Sequence, residues 1–165
     1  MDAQEAKIKK IEELHVKIGE VKLGRSGNIL KATLGSCVGI SFYWPEKKLY
    51  GLAHCLLPRA PVATTQIGAK YVSQAIPSLM AMMKISEEDI PKIEVRVAGG
   101  ANMMVQLARS NPHHIGIQNS ETAKELLEKL GFKIKVMEVG GDQGRQICVD
   151  CDTSEITIKK FVKSA

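Results

Sequence analysis

Ile29-Leu30-Lys31-Ala32-Thr33-Leu34-Gly35-Ser36-Cys37-Val38-Gly39-Ile40-Ser41-Phe42-Tyr43-Trp44 runs through Pro45-Glu46-Lys47-Lys48 into Leu49-Tyr50-Gly51-Leu52-Ala53-His54-Cys55-Leu56-Leu57. Residues 29–34 read as a strand that runs into Gly35-Ser36-Cys37. Residues 38–44 continue as an apolar, β-rich strand, the Pro45–Lys48 segment turns the chain, and residues 49–57 return as a strand. Two strands flanking one turn pair as neighbours, which brings their ends within reach of each other. This stretch therefore argues for a sheet-based core.

Outward from it, Val16, Ile18, Val21 and Leu23 suggest a strand or hairpin arm around Gly19, and Gly24-Arg25-Ser26-Gly27-Asn28 is a turn by composition. Residues 1–15 place Ile8, Ile11 and Leu14 on one side of a short amphipathic helix, or form a solvated extension. Val72, Ile76, Leu79 and Met83 make a helical stripe across residues 67–85, which Pro77 is expected to kink or break. Ser86-Glu87-Glu88-Asp89 resembles a helix start cut short by Pro91. Ile93, Val95 and Val97 alternate as a strand ending at Gly99-Gly100, and Ile115-Gly116-Ile117 reads as another short strand. A helix is expected from Asn119 or Ser120 to Gly131, followed by strands near 132–139, 146–149 and 156–161. The order is seven or eight strands with two or three outer helices, an α+β chain with a layered, β-sandwich-like core. It divides into an N-terminal extension, 1–15, and a single domain, 16–165.

Composition narrows the function classes. The 165 residues are 44% hydrophobic and 25% charged, the balance of an ordinary globular domain. No stretch approaches the ~18 uninterrupted apolar residues of a membrane span. The charged N-terminus lacks the apolar centre of a secretory signal, so the expected compartment is cytoplasmic, without membrane insertion. The net charge of +5 is scattered and aromatics are only 4%, which argues against a nucleic-acid partner. In a cytoplasmic chain Cys37, Cys55, Cys148 and Cys151 are expected to be reduced.

Two residues invite a chemical reading. Glycine before Cys37 permits a sharp turn that exposes backbone N–H groups to a developing oxyanion, so Cys37 reads either as a nucleophile at a strand end or as an inert buried thiol. His54 lies in an apolar strand, where an imidazole needs hydrogen-bond partners; it reads either as the base for Cys37 or as a satisfied core histidine. Cys55 is expected to face away from it. Thr33 and Lys31 project to one side of the preceding strand. Cys148-Val149-Asp150-Cys151 is a single C-x-x-C without the second ligand pair of a zinc site, and His113-His114 reads as a loop pair. Gly99-Gly100 and Gly140-Gly141-x-x-Gly144 lack the lysine and spacing of phosphate loops and read as tight turns, with Arg145 beside the second.

Together, Leu34-Gly35-Ser36-Cys37-Val38, Ala53-His54-x-x-Leu57-Pro58, Ala98-Gly99-Gly100-Ala101-x-Met103, Ile115-Gly116-x-x-Asn119 and Gly140-Gly141-x-x-Gly144-Arg145 resemble, in order, the motifs of the CheD family, the chemoreceptor glutamine deamidases of chemotaxis. The resemblance covers about residues 16–162. It implies a cysteine hydrolase that converts glutamine side chains of receptor proteins to glutamate, on stacked β-layers like those of the deamidating bacterial toxins. Cys37 falls on the family's nucleophile and His54 on its general base. Thr33 is the candidate for the family's threonine, with Lys31 the position in an alternative register, and Gln118 stands where an arginine is common. Gly35, Ser36 and Val38 are the candidate oxyanion and substrate contacts. The resemblance implies no metal and no organic cofactor. Its partners are receptor cytoplasmic helices and a CheC-type phosphatase; a non-catalytic regulator that binds those partners is the alternative reading. The loop 58–65 is expected to form one rim of an apolar docking groove beside His54.

Overall fold

The computed structural model describes residues 10–103 and 114–161. Nine strands and two α-helices occur among them: β1 (Glu12–His15), β2 (Val21–Gly24), β3 (Asn28–Leu34), β4 (Val38–Trp44), β5 (Leu49–Cys55), α1 (Val72–Met83), β6 (Glu94–Gly99), α2 (Ile115–Leu130), β7 (Ile134–Val139), β8 (Arg145–Asp150) and β9 (Ile156–Lys160). The strands form two sheets, β1-β3-β8-β9 and β2-β5-β4-β6-β7. The expected α+β layered architecture is the one observed.

Side-chain alternation along β4 and β5 explains the layering. Val38, Ile40, Phe42 and Trp44 belong to a core shared with Val72, Ile76 and Leu79 of α1 and with Ala123 and Leu127 of α2. Tyr50 and Leu52 point the other way, into a second core with Leu30 and Leu34 of β3 and Ile147 and Val149 of β8. The five-stranded sheet is thus the middle layer, covered by helices on one face and by the four-stranded sheet on the other. Gly51 admits α1 at close range: a Cβ there would lie 2.7 Å from Leu79 Cδ2 and 3.0 Å from Met83 Sδ.

Four local expectations are corrected. Glu12–His15 is a strand and not part of an amphipathic helix, pairing parallel to β3 from Glu12↔Asn28 to His15↔Lys31. An isolated helix of that length is marginal, and the free edge of β3 supplies the backbone partners it lacks; the rest of the expected helix, residues 1–9, lies outside the described residues. Val21 and Leu23 lie in a strand as expected, β2, but residues 16–20 are not part of it; they carry the chain from the four-stranded sheet to β2 in the five-stranded one, with Gly19 at φ +86°. Ile115-Gly116-Ile117 is the first turn of α2, whose N-cap His114 accepts the Gly116 N–H at Nδ1. Pro77 lies inside α1 without ending it, on its exposed side.

Candidate active site

β3 and β4 are consecutive in sequence but belong to different sheets, so Gly35-Ser36-Cys37 must carry the chain across the sandwich in three residues. All three carbonyls of this turn are held. Gly35 O accepts from Ala101 N at 2.9 Å and Cys37 O from Gly100 N at 2.8 Å. Ser36 O accepts from Asn119 Nδ2 at 3.0 Å. Within a trans peptide the C=O and the next N–H point in opposite directions. Fixing Gly35 O and Ser36 O against the protein therefore turns the N–H groups of Ser36 and Cys37 away from it. Val38 is already built into the ladder, paired with Cys55 on one side and Gly99 on the other.

The wall behind the turn is made by the motif Gly99-Gly100. Gly99 has φ +109°, and a Cβ on it would stand 2.2 Å from Cys37 O, so only glycine fits. Its own carbonyl accepts from Gly140 N at 3.0 Å and from Nη1 of the buried Arg145 at 3.0 Å. Arg145, which the sequence leaves open as a surface charge or a substrate contact, is thus an interior strut between β8 and the end of β6.

His54 is delivered by the β4–β5 ladder. It pairs with Gly39, two residues past Cys37, and shares with Cys37 the face turned toward the four-stranded sheet. Cys37 lies one residue before the first ladder pair and His54 in the second, so both stand at the same end of the β4–β5 pair. Gly39 places no side chain between them. His54 is only 4% exposed and Cys37 7%. The 16–20 connector encloses the histidine: Glu20 O accepts the His54 N–H at 3.0 Å, His54 O accepts Gly19 N at 2.8 Å, and Val16 O lies 2.8 Å from Nδ1. A carbonyl only accepts, so Nδ1 carries the hydrogen. Nε2 is then a bare lone pair, buried and without a partner.

Electrostatics agree with a neutral resting pair. Burial lowers the His54 pKa below its usual 6.5, partly opposed by the Val16 contact and by Glu20. Burial raises the Cys37 thiol above 9.0, opposed by its own backbone N–H. Both shifts favour the uncharged forms, a thiol on Cys37 and a neutral imidazole on His54.

The structure places Cys37, His54, Gly35 and Ser36 at one end of the β4–β5 pair; it does not bring Thr33 to them, and Val38, expected as an oxyanion or substrate contact, is fully buried against the helices and paired on both sides. Thr33 is exposed and alternates with inward Leu30, Ala32 and Leu34, so its side chain lies on the outer face of the four-stranded sheet. The place beside Nδ1 that an orienting group would occupy is held by Val16 O. Lys31 shares the outer face and pairs with Glu13 at 3.0 Å. Cys55 faces the helices, as expected, with its thiol raised beyond the usual range by complete burial. Cys148 and Cys151 are free, and among the described residues no three metal-ligating side chains come together. Of the histidine pair, His114 caps α2 and His113 lies outside the described residues. A groove of about 580 Å³ opens beside Pro58 and Arg59, facing Gln118, Glu121, Thr122 and Glu125 of α2. It has the expected rim residues but polar rather than apolar walls. Sequence reasoning missed Val16, which acts through a backbone carbonyl and leaves no residue signature. Asn119 stands there as a possible helix start and as part of a family motif, without the contacts that its amide makes.

The family model for CheD chemotactic sensory transduction matches residues 56–160, beginning two residues after His54. The probable chemoreceptor glutamine deamidase CheD 2 of Ruegeria sp. (strain TM1040) is 38% identical, covering 92% of this chain and 93% of that protein. The probable chemoreceptor glutamine deamidases CheD of Bdellovibrio bacteriovorus and Methanococcus vannielii are 37% and 32% identical, covering 93% and 89% of this chain and 97% and 94% of those proteins. Among solved structures, the Bacillus licheniformis hypothetical protein YfiH aligns at 17% identity over 72% of this chain and 49% of its own, with a TM-score of 0.45. With a matching family model over most of the chain and relatives aligned nearly end to end, this chain belongs to the CheD family.

Proposed function

We propose that this protein is a chemoreceptor glutamine deamidase that uses Cys37 as nucleophile and His54 as base. The observation that carries the assignment of these two residues is the lone pair of His54 Nε2, bare and buried on the same sheet face as Cys37. Nε2 takes the Cys37 proton as sulfur attacks the side-chain carbonyl carbon of a receptor glutamine. The N–H groups of Ser36 and Cys37 receive the oxyanion; one such donor is worth about 3–4 kcal/mol. The imidazolium passes its proton to the amide nitrogen, ammonia leaves and a thioester remains. Water, losing a proton to Nε2, attacks the thioester; glutamate departs and the thiol is restored. Gly35 serves through its carbonyl, which fixes the turn, and Val38 through the ladder that anchors it.

The same reading places the protein in the cytoplasm as one domain, with receptor helices as substrate and a CheC-type phosphatase as partner. Supporting this are the family membership and the fact that, among the described residues, no helix is long and apolar enough to cross a membrane. The test is mass spectrometry of a receptor cytoplasmic fragment after incubation with the protein. Conversion of specific glutamines to glutamate is the expected result, and intact amides across a panel of receptor fragments refute it.

A further inference from the structure

We propose that Asn119 is a positioning residue of the deamidation reaction, a clamp that holds the nucleophile turn to the strand carrying the base. This proposal rests on the deamidase reading. Asn119 is fully buried on α2. Its Nδ2 donates to Ser36 O and to Leu56 O, both at 3.0 Å. Ser36 immediately precedes Cys37, and Leu56 lies two residues past His54. The β4–β5 ladder ends at Val38↔Cys55, so neither carbonyl lies within it. One amide group from a third element continues the pairing where the strands stop.

The orientation of that amide follows from chemistry. Reversed, Oδ1 would face two carbonyl oxygens with no hydrogen between them. As placed, both hydrogens of Nδ2 are used and Oδ1 is buried without a partner. An apolar side chain would avoid that unpaired acceptor, so what the position supplies is its two donors. The helix reaches this depth because Gly116 packs on backbone: a Cβ there would lie 2.6 Å from Gly100 O.

The consequence is directional. Holding Ser36 O fixes the plane of the Ser36–Cys37 peptide, and with it the direction of the Cys37 N–H. That N–H is both an oxyanion donor and the group that holds the Cys37 thiol down against burial. Losing the clamp therefore acts on the transition state more than on substrate binding.

Asn119→Asp keeps the shape and removes both donors; Asn119→Ser leaves a hydroxyl that donates to one carbonyl at most. Each variant is compared with wild type for melting temperature, for kcat and KM on a receptor fragment, and for the pH dependence of Cys37 alkylation by iodoacetamide, mapped by mass spectrometry. The expected result is a kcat per reactive Cys37 lowered on the order of 10²-fold for Asp, less for Ser, with KM within about 2-fold. The midpoint of Cys37 alkylation moves to higher pH in the Ser variant. Unchanged kcat per reactive Cys37 in a folded variant overturns the proposal, as does failure of both variants to fold, which makes Asn119 a residue of the fold alone. If wild type leaves every receptor glutamine intact while the Ser variant still shifts Cys37 alkylation, the deamidase reading fails and the clamp on Cys37 stands.

Discussion

His54 Nδ1 and the carbonyl oxygen of Val16 lie 2.8 Å apart, and this contact decides which ring nitrogen carries the hydrogen. The hydrogen on Nδ1 leaves Nε2 as the lone pair that the proposed mechanism uses as base, and Val16 O holds the place beside Nδ1 that a carboxylate or amide side chain takes in cysteine and serine triads. Because the orienting group is a main-chain carbonyl, substitution of Val16 alters its packing and leaves the hydrogen bond in place.

Burial lowers the His54 pKa, so the acid limb of kcat/KM should lie below pH 6.5. The unfolded chain takes up a proton near 6.5 and the folded one only at lower pH. The contribution of His54 to stability is therefore fully present above 6.5 and declines as pH falls from 6.5 toward the folded pKa. A pH–rate profile checks the first statement, and an acid limb centred at or above 6.5 contradicts it. His54→Gln should abolish turnover and flatten the dependence of melting temperature on pH in that window.

Cys37→Ala removes a small thiol at a turn held by its carbonyls. Stability should drop by about 1 kcal/mol. Receptor binding should persist, because such contacts spread over many side chains. Deamidation should vanish, since no other group forms the thioester. Thermal melts, a binding assay and mass spectrometry on the same preparation check this, and residual deamidation moves the nucleophile elsewhere.

Two glycine substitutions should separate site from scaffold. Gly99→Ala puts a Cβ at φ +109° and 2.2 Å from Cys37 O. It should cost more than about 2 kcal/mol and most of the activity, because the atom it displaces belongs to the nucleophile turn. Gly51→Ala presses on Leu79 and Met83 across the helix-facing core. It should cost about 1–3 kcal/mol while kcat of the folded fraction stays near wild type. Denaturant melts paired with kcat distinguish the two.

Thr33→Val tests a residue that the family resemblance singles out and the geometry does not. On the outer face of β3 it should leave kcat within about 2-fold of wild type and stability within roughly 0.5 kcal/mol. A loss of kcat beyond 10-fold without loss of stability would return Thr33 to the site.

The strands 38–44 and 49–55 were legible from residue type because both are apolar and flank a turn with one proline and three charges. The same local reading failed at Glu12–His15 and Ile115-Gly116-Ile117. There, a sheet edge and a backbone-close helix contact override weak local preference. The Cys37–His54 pair was visible as two unusual residues on paired strands. Its orienting carbonyl was not, since a main-chain oxygen carries no side-chain identity.

By itself the sequence determined that this is an α+β domain with a β-hairpin at its centre, with a thiol at one strand end and an imidazole near the other. Alternation and turn chemistry act over a few residues and are written in residue type. Only the tertiary structure decided that Gly35-Ser36-Cys37 crosses between sheets, that Thr33 faces outward, and that Val16 O and Asn119 Nδ2 hold the base and the nucleophile turn. Those contacts join residues 38 and 83 positions apart, and distance of that order is set by how sheets and helices stack, which no short-range pattern encodes.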